Sequence, residues 1–269
     1  MNSDSAADRI DVTKPHPARR YDYWLGGSAN YPADRESAEM VAEAFPTVQI
    51  SALENRKFLR RAVGHLAERG IRQFLDIGTG LPTAGNVHEI AQTVVPESRI
   101  VYVDNDPIVL VHANELLNSS PEGKTAYLEA DVREPRRILT HPDLLDTIDL
   151  SQPVALILVA ILHFIGDEEK PHNLVRELRE ALAPGSYLVI SHATGDYLAP
   201  EDRPATLEAN KRSRVPFYLR SREEISRFFT GLELVAPGIT SVTNWRPEEW
   251  RPHPRAEAVS MLGGVAHIG

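Results

Sequence analysis

Five apolar runs recur through the middle of the chain at nearly constant spacing. They lead into Asp76, Asp104, Asp131, Ala160 and Ser191, at intervals of 28, 27, 29 and 31 residues. Each interval has room for a strand, a helix and two short loops. Strands that alternate with helices predict an α/β fold, a parallel sheet with helices on both faces. The run VALILV before Ala160 is apolar without alternation, which is typical of a central strand buried on both faces.

The segments between these runs have the spacing and the end signals of helices. Apolar residues within 87–94 and within 174–182 recur every three or four positions. Asp106-Pro107 predicts a helix N-terminus, with the aspartate as cap and the proline at the first helical position. Ser221 followed by Glu224 predicts a capping box.

Both ends of the chain depart from this pattern. Residues 1–18 are polar and contain prolines, so we expect them to be mobile, whereas residues 32–69 are predicted to be helical. Residues 196–220 are rich in proline and charge and predict a loop or short helices. The runs LELVA and GGVAHIG are expected to be two late strands that pair antiparallel.

Composition excludes several classes of function. The formal net charge is -9 with no basic block, which disfavours nucleic-acid binding. The chain has no cysteine, so disulfides, thiolate catalysis and cysteine-type zinc sites are excluded. The histidines show no ligand pairing typical of a metal site. The longest apolar run has nine residues, whereas a membrane span needs ~20. We therefore expect a cytoplasmic protein without a metal, a nucleic-acid partner or a membrane segment.

The turn after the first run has the residues of a ligand-binding loop. In FLDIGTGLPT, Gly78 and Gly80 flank Thr79 and allow a tight turn that a ligand can approach closely, and Asp76 can bind loop amides or an ammonium group. Thr83 stands where a dinucleotide-binding fingerprint has its third glycine. The pattern therefore favours a nucleoside without a pyrophosphate, and a tight turn without any ligand is the alternative.

Acidic residues also end the second and third runs. Asp104, in VYVDNDP with Asn105, can accept hydrogen bonds from a ribose diol, or can form an Asx turn. Asp131 can accept from an adenine amino group while the Val132 amide donates to a ring nitrogen; the alternative is a helix cap. Carboxyl ends of parallel strands meet at one edge of a sheet, so these groups are expected to converge.

The chain resembles the DUF574 family of actinobacterial methyltransferase-like proteins, within the class I S-adenosylmethionine-dependent methyltransferases. The motifs that carry the resemblance span about residues 15 to 265 and are ARRYDYWLGGSANYPADRE, ENRKFLRRAV, FLDIGTGLPTAGNVHEIAQ, VYVDNDPIVLVHA, LVAILHFIGD, LAPGSYLVISHATGD and LELVAPG. The resemblance implies a Rossmann-like, mostly parallel seven-stranded sheet with its last strand antiparallel. It also implies S-adenosylmethionine as cofactor and S-adenosylhomocysteine as product.

The resemblance also suggests a role for the segment YDYWLGGSAN, residues 21–30. In many enzymes of this fold, a segment before the first strand folds over the cofactor. Tyr21 offers a flat surface and a hydroxyl, and Asn30 can donate and accept hydrogen bonds. Arg56, on the following helix, is positioned to meet the cofactor carboxylate. The alternative is that this segment only packs on the sheet. We predict a tail and helical cap over residues 1–70 and a methyltransferase domain over 71–269, together one structural unit.

Two further positions follow the fourth run. In this fold Ala160 borders the cofactor and His163, in AILHFIGD, faces the transferred methyl. The imidazole of His163 is a candidate general base, with a buried structural histidine as the alternative. Trp24, Trp245 and Trp250 are candidates for lining an acceptor pocket, although aromatic packing explains them equally well.

The sequence therefore predicts transfer of a methyl group from S-adenosylmethionine to a small-molecule acceptor. A non-catalytic S-adenosylmethionine sensor is the first alternative. An NAD-dependent oxidoreductase is the second, disfavoured by Thr83. A homodimer is compatible with the sequence, which does not identify the acceptor.

Overall fold

A computed structural model describes residues 9–83, 85–112, 119–199, 201, 203–248 and 252–269. Its described strands form one sheet of mixed direction. The strands are β1 Gln73–Ile77, β2 Arg99–Asp104, β3 Lys124–Glu129, β4 Ala155–Val159, β5 Tyr187–Ala193, β6 Glu233–Leu234, β7 Thr240–Ser241 and β8 Met261–His267. The spatial order is β3-β2-β1-β4-β5-β8-β6, and β7 pairs separately with β8.

The first five strands are parallel, and β8 runs antiparallel to β5 and β6. This confirms the Rossmann-like α/β fold and the antiparallel late strands. Eight strands are described where seven were predicted, because the two-residue strand β7 also pairs with β8. The reversal of strand order between β1 and β4 is the switch point at which open α/β sheets bind ligands.

Helices and 3₁₀ turns cover both faces of the sheet. The described helices are α1 Pro17–Trp24, α2 Pro32–Ala44, α3 Val48–Glu68, α4 Val87–Val94, α5 Pro107–Val111, α6 Pro135–Leu139, α7 Pro142–Thr147, α8 Pro171–Glu180, α9 Arg203–Arg212, α10 Arg222–Ser226 and α11 Ala256–Val259. Alternate residues of β1 enter different cores: Leu75 and Ile77 pack on one face, and Phe74 packs on the other with Phe58 of α3.

The end signals read from the sequence are confirmed at α5 and α10. The Asp106 side chain accepts from the Ile108 amide, and the Ser221 hydroxyl accepts from the Glu224 amide. The helical stretch predicted over 32–69 divides into α2 and α3 at residues 45–47, where Pro46 interrupts the backbone ladder.

The expectation that residues 1–18 are mobile is wrong for the described part, residues 9–18. Arg9 forms an ion pair with Glu129 of β3, and His16 contacts the Asp106 carboxylate at 2.9 Å. These contacts hold the chain against the sheet, so α1 starts at Pro17 in a fixed place. The division of the chain at residue 70 stays a prediction. The helices that the structure describes all fall short of the length and hydrophobicity that a membrane span requires.

Candidate functional site

A cavity of about 370 Å³ opens at the carboxyl ends of the five parallel strands β1 to β5, and helices α1, α2 and α3 also line it. Its volume is in the range of small-molecule sites. Eleven of the twelve positions predicted to contact a cofactor line it, namely Tyr21, Arg56, Asp76, Gly78, Thr79, Gly80, Asp104, Asn105, Asp131, Val132 and Ala160. His163 lines it as well, so the structure brings together groups that are far apart in the sequence.

The turn after β1 depends on its glycines. Gly78 and Gly80 have φ angles of 76° and 68°, which side chains rarely adopt. A Cβ at Gly78 would lie 2.8 Å from the Ile161 side chain. The Gly78 amide donates to the Val103 carbonyl at 2.7 Å, which ties the turn to β2. The backbone therefore stays close to the cavity, as the sequence predicted.

Asp76 is buried at the end of β1. The Thr79 hydroxyl donates to its carboxylate at 3.0 Å. Burial raises the pKa of Asp76 to about 6, although the Thr79 hydrogen bond and the charge of Arg56 oppose this shift. Arg56 donates one hydrogen bond to the Gly85 carbonyl at 3.2 Å. A carboxyl group and a guanidinium cation therefore line the same cavity within electrostatic range of each other, which suits a zwitterion.

The carboxylate of Asp104 holds two loops in place. It accepts from the Gly80 amide at 2.8 Å and from the Asp106 amide at 3.0 Å. Burial raises the pKa of Asp104. Each carboxylate oxygen has a second lone pair, so the group can still accept hydrogen bonds from a ligand.

Asp131 lies two residues beyond the end of β3 and is partly exposed. Its carboxylate accepts from the Asn105 amide group at 2.7 Å and from the Arg133 backbone amide at 2.9 Å. The second contact closes an Asx turn, whereas the N-cap of the next helix, α6, is Glu134, so the helix-cap alternative is wrong. Val132 is buried and lines the cavity beside it.

Ala160 directly follows β4 and has a left-handed backbone, at φ 57°. Strained positions of this kind cluster at functional sites. Its amide donates to the Ser191 hydroxyl at 3.0 Å, and that hydroxyl donates to Asn55 Oδ1 at 2.6 Å. Asn55 Nδ2 in turn donates to the Tyr21 hydroxyl at 2.9 Å. A chain of hydrogen bonds therefore links α1 to the end of β4.

The residues of the segment YDYWLGGSAN differ in whether they line the cavity. Tyr21 lines the cavity and donates its hydroxyl to the Ala52 carbonyl at 2.9 Å. Asn30 does not line it: the Asn30 amide donates to Asp22 at 2.8 Å and to the Gly27 carbonyl at 3.0 Å. Asn30 therefore closes the loop, and its predicted contact with the cofactor is not supported. Gly26 has a left-handed φ of 80°, which lets the chain turn sharply after α1.

His163 is buried in a short 3₁₀ turn after β4, between Phe164 and Phe217. Burial, followed by the charges of His192, Arg20 and Arg220, lowers the pKa of His163 well below its usual value. The ring is therefore neutral near pH 7. The Ala193 amide lies 3.4 Å from Nδ1 in a donor position, which favours the tautomer with its proton on Nε2.

The tryptophans differ in position. Trp24 lines the cavity, whereas Trp245 is buried against Phe58 of α3. Trp250 lies outside the described residues.

Sequence reasoning missed Arg20, which is only 1% exposed and also lines the cavity. Nothing in the sequence distinguishes it from its neighbour Arg19. Among the residues that can be placed, no group of three His, Asp or Glu side chains could hold a metal ion.

Comparison with known families and structures gives a consistent result. The model of a family described as S-adenosyl methyltransferase matches residues 3–269. A crystal structure of a DUF574 family protein from Streptomyces avermitilis shares 48% identity over 97% of this chain and 100% of its own, with a TM-score of 0.93. A candidate methyltransferase from Thermobifida fusca shares 40% identity over 96% of each chain, with a TM-score of 0.87.

A more distant structure supports the fold alone. An O-methyltransferase family protein from Burkholderia thailandensis has 15% identity over 88% of this chain and 59% of its own, with a TM-score of 0.53. Comparison with curated proteins gives no significant match.

Proposed function

The chain belongs to the S-adenosyl methyltransferase family, and on that premise we propose that it transfers a methyl group from S-adenosylmethionine to a small-molecule acceptor. The observation that carries the proposal is the convergence of Asp76, Asp104 and Asp131 with the glycine turn on one cavity. When bound, S-adenosylmethionine supplies a methyl group already activated by the sulfonium. The protein then has to align the acceptor and exclude water.

The residues present fit this cofactor. Asp76 and Arg56 suit the ammonium and the carboxylate of its amino-acid part, because a carboxylate and a guanidinium line the same cavity and the charge of Arg56 lowers the pKa of Asp76. Asp104 keeps free lone pairs for the ribose hydroxyls after accepting from Gly80 and Asp106. The Asp131–Val132 pair is assigned to the adenine, with one Asp131 oxygen held by the Asx turn.

His163 is assigned to the acceptor side of the site. A neutral imidazole with a strongly lowered pKa is a weak base, and the ring is more suited to donate a hydrogen bond from Nε2. We therefore assign His163 to orienting the acceptor. The proton released from a hydroxyl or amine acceptor then goes to solvent, or the acceptor arrives already ionised.

Calorimetry tests the cofactor assignment. S-adenosylhomocysteine and NAD are titrated side by side into the protein, and then into Asp104→Ala. The proposal expects binding of the first ligand, weakened in the variant, and no binding of NAD. Binding of NAD alone would support the oxidoreductase alternative.

A second assay separates an enzyme from a sensor. The protein is incubated with S-adenosylmethionine and a panel of phenols, amines and carboxylic acids, and S-adenosylhomocysteine is quantified by mass spectrometry. Formation of product that depends on one acceptor supports catalysis. Tight binding without turnover on a broad panel would favour the sensor.

A further inference from the structure

Arg20 is a buried cation with few partners. Its guanidinium is 1% exposed, and its described hydrogen bond is to the Ser37 hydroxyl, at 3.4 Å. The Nε atom of Arg20 is buried and has no hydrogen-bond partner among the residues that are described. Burial lowers the pKa of Arg20 to about 10, so the group remains charged at neutral pH.

The neighbouring residue Arg19 provides a contrast. It is equally buried, but its Nε donates to Asp106 at 2.9 Å and one terminal nitrogen donates to the Asp11 carbonyl at 3.1 Å. The charge of Asp34 raises the pKa of Arg20, but Asp34 forms its ion pair with Arg19, at 3.7 Å, and it also accepts from the backbone amides of His16 and Tyr31. Within the described part of the chain, no carboxylate forms an ion pair with Arg20.

A buried charge without a partner is costly, and an anionic ligand in the cavity would supply the missing partner. Arg20 lines the cavity on the side of His163, whose pKa is lowered partly by the Arg20 charge. Its guanidinium carbon lies 5.4 Å from the centre of the Trp24 ring. Phe45, Phe164 and Phe217 line the cavity as well.

The cofactor carboxylate has another candidate partner. Arg56 is close enough to Asp76 for its charge to affect that carboxyl, so the two can hold both charges of an amino acid. Arg20, by contrast, contacts the Trp24 ring, and its charge is close enough to lower the pKa of His163. The charge of Arg20 therefore faces the part of the cavity left for the acceptor.

Resting on the function proposed above, we propose that Arg20 binds a carboxylate group of the methyl acceptor. The acceptor is accordingly an apolar, aromatic carboxylic acid, because Trp24 contacts the guanidinium and Phe45, Phe164 and Phe217 line the same cavity. Arg20 anchors the acid, and the neutral His163 can donate a second hydrogen bond. The cation–π contact with Trp24 holds the guanidinium in position before the acceptor arrives.

The test compares acids with their neutral amides. Benzoate, cinnamate and indole-3-acetate, each paired with its amide, are titrated calorimetrically into unmodified protein saturated with S-adenosylhomocysteine. We expect at least one acid to bind about tenfold or more tightly than its amide, the usual effect of a charged hydrogen bond. If no acid binds more tightly than its amide, the inference is overturned.

Variants then test whether Arg20 causes the preference for the acid over its amide. In Arg20→Met the preference for the acid should disappear, while S-adenosylhomocysteine should bind unchanged. A preference that survives in Arg20→Met would overturn the assignment. So would a tenfold loss of S-adenosylhomocysteine affinity, which would place Arg20 on the cofactor carboxylate. Failure of unmodified protein to bind S-adenosylhomocysteine would refute the proposed function itself, so the two failures are distinguishable.

Arg19→Met is the matched control for a structural role. It breaks a buried ion pair and should lower the thermal midpoint by roughly 5 °C or more. Arg20→Met removes an unpaired charge and should leave the midpoint unchanged or raise it. An equal fall in both variants would assign Arg20 to the scaffold and overturn the inference.

Discussion

Protonation of Asp76 should control cofactor affinity between pH 5 and pH 7. The carboxyl is buried, and its pKa is raised from 3.8 to about 6. If only the ionised form accepts the cofactor ammonium, the competent fraction is about 0.09 at pH 5 and about 0.9 at pH 7. Affinity for S-adenosylhomocysteine should therefore rise about tenfold over this interval. Asp76→Asn should bind more weakly at pH 7 and lose this part of the pH dependence.

The free energy of unfolding should fall with rising pH over this range, whereas the cofactor affinity rises. Between pH 3.8 and about 6, the folded protein keeps a proton that the unfolded chain has released. The contribution of Asp76 to the free energy of unfolding is therefore full below pH 3.8 and is lost as pH rises through 6. A pKa raised from 3.8 to about 6 corresponds to a contribution of about 3 kcal/mol to the free energy of unfolding. Asp76→Asn should remove this dependence.

Calorimetry in two buffers of different ionisation enthalpy measures both the affinity and the protons released. At pH 5, binding should release about 0.9 proton from Asp76, and this release should be absent in Asp76→Asn. Asp143→Asn, which alters an exposed acid on α7, is the control and should match the unmodified protein. Equal affinity at pH 5 and pH 7 would refute the assignment of Asp76 to the ammonium.

The other predictions concern the remaining parts of the cavity. Asp104→Ala should weaken S-adenosylhomocysteine ten- to a hundredfold in calorimetry, and lower the free energy of unfolding by about 1–3 kcal/mol in urea because two buried amides lose their acceptor. S-adenosylmethionine should slow amide exchange across residues 19–35 more than across α8, and Tyr21→Phe should reduce that protection; equal slowing would leave the segment as scaffold. His163→Gln should flatten the fall in thermal stability as pH drops below about 6.5, because the buried neutral ring resists protonation. If the rate of methyl transfer depends on a group that titrates near pH 6.5, and this dependence is absent in His163→Gln, then His163 acts as a general base.

The repeating part of the fold could be predicted because period and position determine it. Each βα unit places the carboxyl end of its strand at the same edge of the sheet. The repeat alone therefore predicts that Asp76, Asp104 and Asp131 lie close together, and all three line the cavity. The predicted ends of these three strands agree with the structure to within two residues; the largest difference is at β3, which ends at Glu129 rather than at Asp131.

Burial of polar groups could not be read from the sequence. Arg19 and Arg20 are adjacent residues of the same type. In the folded chain Arg19 pairs with Asp106, whereas Arg20 has a hydrogen bond to Ser37 and faces the cavity. Asn30 has the chemistry of a ligand contact, but local loop groups take up its amide. His16, in the segment before α1, contacts Asp106, which lies about ninety residues away in the sequence. A local sequence pattern cannot predict a contact over that separation.

The position of β8 has a consequence for synthesis of the protein. β8 lies between β5 and β6 although it follows both in the chain, so 67 residues separate the end of β5 at Ala193 from the start of β8 at Met261. At about 5–20 residues per second, the ribosome needs roughly 3 to 13 s to add them. During that time the hydrogen-bonding edge of β5 is open to other nascent chains. Codon changes that slow translation of residues 194–260 should therefore increase co-translational aggregation, while the mature protein stays unchanged.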